Sequence, residues 1–334
     1  MPYSAAAARR PASSTMNHTP LTDLVPGVVA GLAAAFFSAL SYLVSRHHGL
    51  VQRALGRRAV PLRLLALAHV IMAAVCLPAC VALWPAASPA VAAFALPLTA
   101  SAGFYLLGQA ALFAALGRVE ASRIAPLLGL KIVMLAVIVS FVLGERLDAR
   151  QWLAVAMSVG AALMLQAGHG AVPRGALGFV LGCSLCFAVS DLWIVKLITG
   201  LETGVSQAGG SLGRLHAGVL AMVLTYGGCG LLFAPLLGRL APLTRADWVA
   251  SAQYAGAWLG SMTGLYCCFG LVGVVFGNIL QATRGPMSVA LGALLAHLGW
   301  HELEQRVDRG TFLRRFAAAA LMTVAIAVYV IDLW

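Results

Sequence analysis

Long apolar runs, closed off by short clusters of charge, set the rhythm of this 334-residue chain. No Asp, Glu, Lys or Arg occurs from Leu24 to Ser45, Leu64 to Gly117, Gln151 to Pro173, Leu215 to Gly238 or Trp248 to Thr283. A bilayer-crossing helix takes about 20 apolar residues. The run from Leu64 to Gly117 therefore holds two crossings, with a turn at Trp84-Pro85-Ala86-Ala87-Ser88-Pro89, where proline and serine punctuate it. The pattern predicts helical spans over 27–45, 64–84, 94–116, 121–143, 150–168, 175–197, 215–237, 248–270, 274–298 and 312–332. Two longer loops are expected, Arg46 to Arg63 and the Gly-rich stretch Thr199 to Arg214, with His47-His48 in the first and His301-Glu302 in a later one. The apolar runs do not alternate with polar residues, which excludes a membrane β-barrel.

Composition sharpens this picture. Only 10% of residues are charged and 61% are hydrophobic, with mean hydropathy +0.91. A soluble domain carries about 25% charged residues, so the solvent for most of this surface is lipid. The formal charge of +11 comes with no interleaved basic and aromatic residues, which excludes nucleic acid as a partner. Residues 1–25, with Arg9-Arg10-Pro11 and Ser13-Ser14-Thr15, are expected to form a disordered tail. They do not read as a signal peptide, because the apolar core after them is too long and Ser45-Arg46-His47 makes a poor cleavage site. The seven cysteines lie within apolar spans, and even Cys183-Ser184-Leu185-Cys186 has no His or acidic partner nearby, so they read as small buried side chains. No cofactor or metal site is expected.

The chain repeats itself after about half its length. Ala39-Leu40-Ser41-Tyr42-Leu43 in span one has a counterpart in Ala188-Val189-Ser190-Asp191-Leu192 of span six, and Arg146-Leu147-Asp148 to Leu153 answers Arg306-Val307-Asp308 to Leu313. Five spans per half is an odd number, so the second half enters the membrane from the opposite side. The expected fold is an all-α integral membrane protein of about ten transmembrane helices, as two inverted five-helix repeats over 26–168 and 169–334. Inverted repeats point to secondary transport around a site near mid-bilayer.

Ala115-Leu116-Gly117-Arg118-Val119-Glu120-Ala121-Ser122, the apolar helix closing on Gly144-Glu145-Arg146-Leu147, and the helix from Gln151 to Gln166 together resemble the EamA-like transporters of the drug/metabolite transporter superfamily. The second half departs from that pattern, with Gly299-Trp300-His301-Glu302-Leu303-Glu304 where a Gly-Glu pair is usual, and span four has Lys131-Ile132 near its usual proline. The resemblance implies export or exchange of small metabolites without enzymatic chemistry, in a bacterial inner membrane.

Three charges fall well inside the expected spans: Lys131, Asp191 and Arg284. Each costs about 2.5–3.5 kcal/mol at mid-helix on insertion scales, so they should face a wet cavity or each other. Lys131 and Arg284 lie in equivalent spans, four and nine. Two converging cations would make an anion site, with Arg suited to gripping a carboxylate or phosphate bidentately. The arrangement resembles the sugar-phosphate translocators of the same superfamily. Only two residues of the chain are lysine against 20 arginines, which singles Lys131 out. Asp191, toward the end of its span, is expected as counter-ion or coupling residue; the plainer alternative is that it neutralises one cation while the other snorkels.

Further pocket-lining residues are Gln281, in a stripe with Arg284 and Ser288, Tyr105 with Gln109 at i, i+4, and Tyr254 with Trp258 at the same spacing. His69 is a weaker candidate. Spacings such as Gly27-xxx-Gly31, Gly178-xxx-Gly182 and Gly256-xxx-Gly260-xxx-Gly264 read as helix packing. Glu145 should pair with Arg146 or Arg150. Lys and Arg number six on one side and 14 on the other, which would put the termini outside, while the family resemblance puts them in the cytoplasm.

The function expected is secondary transport of a small anionic or zwitterionic metabolite by alternating access. The competing expectation is export of neutral or cationic drugs or amino acids, with the buried charges paired structurally. Partners are the small-molecule substrate and the lipid bilayer, with a homodimer allowed. An intramembrane enzyme would need clustered His, Asp or Glu at one membrane face, and the eight histidines are scattered.

Overall fold

The computed structural model describes residues 21–54, 61–116, 127–142, 144, 147–166, 174–240, 243–297 and 309–330. Among these the chain is helical, with no strand: α1 Leu21–Ala54, α2 Pro61–Leu83, α3 Val91–Leu116, α4 Leu127–Val142, α5 Ala149–Gln166, α6 Arg174–Gln207, α7 Arg214–Phe233, α8 Arg245–Val272, α9 Val274–Ala282, α10 Arg284–His297 and α11 Arg309–Val330. The Ala115–Ser122 and Gly144–Leu147 motifs lie partly outside the described residues, as do the first 20 residues, Glu145, Arg146 and the His301–Glu304 segment.

Six helices are long and apolar enough to cross a bilayer: Leu21–Ser45 of α1, Arg63–Leu83 of α2, Val91–Leu112 of α3, α6, Arg214–Arg239 of α7 with its extension, and α8. Val81, Phe141 and Val142 are each more than two-thirds exposed, which suits a surface facing acyl chains. The turn between α2 and α3 falls at Trp84 to Ala90, where the Trp84 indole donates to Ser88 Oγ at 3.0 Å.

Two expected loops are partly helix. α1 runs on to Ala54 and takes His47 and His48 with it, because hydropathy marks where the apolar layer ends and not where the helix does. α6 runs ten residues past its expected end, to Gln207. Its glycines there serve close packing and not a turn: a Cβ at Gly204 would stand 2.8 Å from Pro89 Cβ, and one at Gly200 would strike the Ala93 carbonyl oxygen of α3.

Helix pairs build the core. α1 packs along α8, α3 along α6, α2 along α7 and α5 along α11, with α4 against α6, and α9 and α10 against α1. If α9 and α10 are counted as one helix, exchanging each of the first five helices with the one five places later leaves this pattern unchanged. The α1–α8 pair becomes α6–α3, α4–α6 becomes α9–α1, and the other two pairs map onto themselves. Gly273, at φ 81°, makes the one-residue corner between α8 and α9, a conformation that favours glycine. The α9–α10 break at Thr283 also has a local cause, since Pro286 has no N–H to offer the Ala282 carbonyl.

Candidate functional site

Lys131, which is buried, and Arg284, which is half-buried, both sit where a helix restarts. Lys131 opens the regular part of α4, directly after the 3-10 turn Leu127–Leu130, and Arg284 opens α10 directly after the break at Thr283. Irregular backbone at membrane depth is tolerated where it lines a cavity. Here it lines a cavity of about 80 Å3.

Lys131 Nζ stands 2.9 Å from Asp191 Oδ2 and donates to Gln281 Oε1 at 3.4 Å. The same Asp191 oxygen accepts from Asn278 Nδ2 at 2.9 Å, while Asn278 also donates to the Val274 carbonyl. Lys131 is 8% exposed and Asp191 5%, so the pair is withdrawn from water and linked across α4, α6 and α9. Asn278 Oδ1 is buried without a hydrogen-bond partner. The length of α6 puts Asp191 near the helix middle, a correction to its expected position near an end.

Arg284 is different. Its guanidinium carbon lies 5.7 Å from the centre of the Tyr42 ring, and among the described residues no carboxylate pairs with it. Ser288, one turn on, spends its hydroxyl on the Arg284 carbonyl at 2.7 Å.

Aromatic rings make up much of the remaining wall. Tyr254 and Trp258 stack at 5.8 Å with planes 11° apart, and the Trp258 indole donates to the Tyr226 hydroxyl at 3.2 Å. Tyr105 meets Tyr226 edge-on at 5.5 Å. His69 is fully buried behind them. Its Nδ1 lies 2.8 Å from the Leu65 carbonyl and so carries the proton, which leaves Nε2 to accept from the Tyr105 hydroxyl at 3.0 Å.

Eight of the residues singled out from the sequence, Lys131, Arg284, Gln281, Tyr105, Gln109, Tyr254, Trp258 and Asp191, line this cavity, while the weaker candidate His69 does not. The reading missed Tyr42, Phe187, Tyr226 and Tyr266 on the wall, and Asn278 behind it. A signal for Tyr42 was present: the interval from Tyr42 to Asp191 equals that from Tyr105 to Tyr254 and from Gln109 to Trp258. Lys131 of α4 meets the carboxylate of Asp191, and Arg284 of α10 meets the ring of Tyr42, the residue at the matching interval before Asp191. Among the described residues no three His, Cys, Asp or Glu gather as a metal site.

Residues 25–166 match the model of the EamA-like transporter family. A solved crystal structure, 17% identical, superposes with a TM-score of 0.61 over 91% of this chain and 96% of its own, a likeness of fold alone. No curated protein matches the chain.

Proposed function

We propose that this chain is a membrane transporter of the drug/metabolite type, a reading supported by the EamA-like match over residues 25–166, and that it moves a small anionic metabolite by secondary, alternating-access transport. The observation that carries the anionic reading is Arg284: a cation at the cavity wall with no acidic partner among the described residues. An unpaired charge at that depth costs several kcal/mol. Binding an anion offsets that cost, which favours the loaded state.

The alternating-access reading rests on ten crossings in two inverted five-helix units, 26–168 and 169–334. It is supported by the exchange symmetry of the helix packing and by the two restarting helices that bring a cation from each half to one cavity. Such halves can rock against each other around a fixed central site.

A second reading keeps the fold and changes the cargo to a neutral or cationic drug or amino acid. The 2.9 Å Lys131–Asp191 pair favours it, since that pair presents no net charge. Counterflow in proteoliposomes separates the two. With an anion as substrate, Arg284→Ala reduces exchange at least about 100-fold, the loss expected for a charge-assisted bidentate contact worth ~3 kcal/mol. Undiminished exchange by a folded Arg284→Ala protein overturns the anionic reading.

A further inference from the structure

Resting on the transport reading above, we infer that the substrate is a monocarboxylate with an aromatic body, held by its carboxylate on Arg284 and by its ring among the tyrosine and tryptophan rings that line the cavity. Net charge comes first. The cavity holds Lys131, Asp191 and Arg284, and the first two neutralise each other at 2.9 Å. One positive charge remains, which matches one negative charge and not two. A phosphate monoester or a dicarboxylate would bring a surplus charge into a site that has nothing left to meet it.

Hydrogen-bonding capacity comes second. A sugar or other polyol needs a wall rich in uncommitted donors and acceptors, and here several of the wall's polar groups are already engaged. Tyr105 donates to His69, Ser190 donates to the Ser101 carbonyl at 2.9 Å, Tyr226 receives the Trp258 indole, and Gln281 Oε1 receives Lys131. An amino acid would need a carboxylate for its ammonium group, and Asp191 is spent on Lys131 and Asn278.

Shape comes third. Tyr42, Tyr105, Phe187, Tyr226, Tyr254 and Trp258 all line the cavity, and flat rings pair with flat rings edge-on or offset. The Tyr42 ring contact at 5.7 Å orients the guanidinium while using none of its N–H groups, so the planar fork stays available to a carboxylate.

The test is binding and counterflow by the full-length protein in lipid nanodiscs and proteoliposomes, with phenylacetate, cyclohexylacetate, acetate, phenyl phosphate, phenylalanine and benzyl alcohol as probes. Phenylacetate is expected to bind at least ten-fold more tightly than each of the others. Arg284→Gln should weaken it at least ten-fold and Arg284→Lys less, and Trp258→Leu should erase the preference for phenylacetate over cyclohexylacetate. Size-exclusion profiles and thermal unfolding confirm that each variant is folded. Preference for phenyl phosphate or phenylalanine, or indifference of phenylacetate binding to a folded Arg284→Gln protein, overturns the inference. Exchange of another probe without phenylacetate binding removes the substrate class and leaves transport standing. Tight phenylacetate binding with no exchange of any probe leaves the site standing and removes the transport reading.

Discussion

Lys131 and Asp191 illustrate how a single contact changes what a residue can do. Taken alone, each is an expensive charge in an apolar helix; at 2.9 Å, with Asn278 and Gln281 completing their hydrogen bonds, they form one neutral unit. Removing one partner leaves the other buried and uncompensated, which costs about 3–5 kcal/mol, whereas replacing both with neutral groups of similar size costs far less. Asp191→Asn alone should therefore lower stability by ~3 kcal/mol, and Lys131→Met with Asp191→Asn should recover most of that loss, as read by thermal unfolding in detergent. A double variant no more stable than Asp191→Asn would mean that the two charges do not act as a pair. The charges were legible because any ionised residue in an apolar run stands out. Tyr42, Tyr226 and Tyr266 were not, since an aromatic ring in an apolar helix looks the same whether it faces lipid, core or cavity. Only the equal intervals between repeat positions could have separated Tyr42 from that background.

Helix interfaces show where spacing alone misleads. Gly178-xxx-Gly182 and Gly256-xxx-Gly260-xxx-Gly264 follow the same rule in sequence, yet they meet different surroundings. A Cβ at Gly264 would stand 2.6 Å from the Ala30 carbonyl oxygen on α1, while one at Gly178 would have nothing within 4 Å. Gly230 belongs to no such spacing, and there α7 lies so close to α2 that a Cβ would strike the His69 carbonyl and Ala73. Backbone cannot yield as a flexible side chain can, so Gly230→Ala should destabilise by about 1–3 kcal/mol, the usual cost of overpacking, and shift the α2–α7 pair that carries His69. Gly178→Ala should match the wild type within about 0.5 kcal/mol or gain slightly from helix propensity. Equal effects of the two substitutions would contradict the packing described. The six long apolar helices were legible, because apolar run length reports bilayer crossing, whereas the break at Thr283 inside the span expected over 274–298 was not. The far ends of α1 and α6 were not, because Gly200 and Gly204 have the composition of a loop and the job of a packing surface.

At the scale of the whole molecule, two contacts of different kinds sit toward opposite ends of α1. Near the start of α1, Asp23 meets Arg214 of α7 at 3.1 Å; about 25 residues on, His48 lies 4.0 Å from Asp247 of α8. That length of helix spans roughly 38 Å, more than the ~30 Å hydrocarbon layer, so the contacts face opposite solutions. Partial burial holds the His48 imidazole below its ordinary value despite Asp247, so it is neutral at pH 7 and this contact then carries no full ion pair. A lowered value means that protonation opposes this arrangement, so its contribution is present above about pH 6.5 and lost as pH falls through the lower folded-state value. The Asp23–Arg214 pair is exposed enough, with 54% of the Arg214 side chain accessible, to be worth no more than ~1 kcal/mol, a strength suited to a contact that would break in each cycle of the proposed transport. Alternating access requires the halves to part at this face. Asp23→Asn should therefore change counterflow by less than about five-fold, the equivalent of ~1 kcal/mol. Asp23→Cys with Arg214→Cys, joined by a short cleavable bifunctional thiol reagent, should stop it until the link is cut. Each single cysteine, treated identically, controls for reaction at the native thiols. Undiminished exchange in the linked double variant would show that α1 and α7 do not separate during transport, and rocking of the two halves at that face would have to be abandoned.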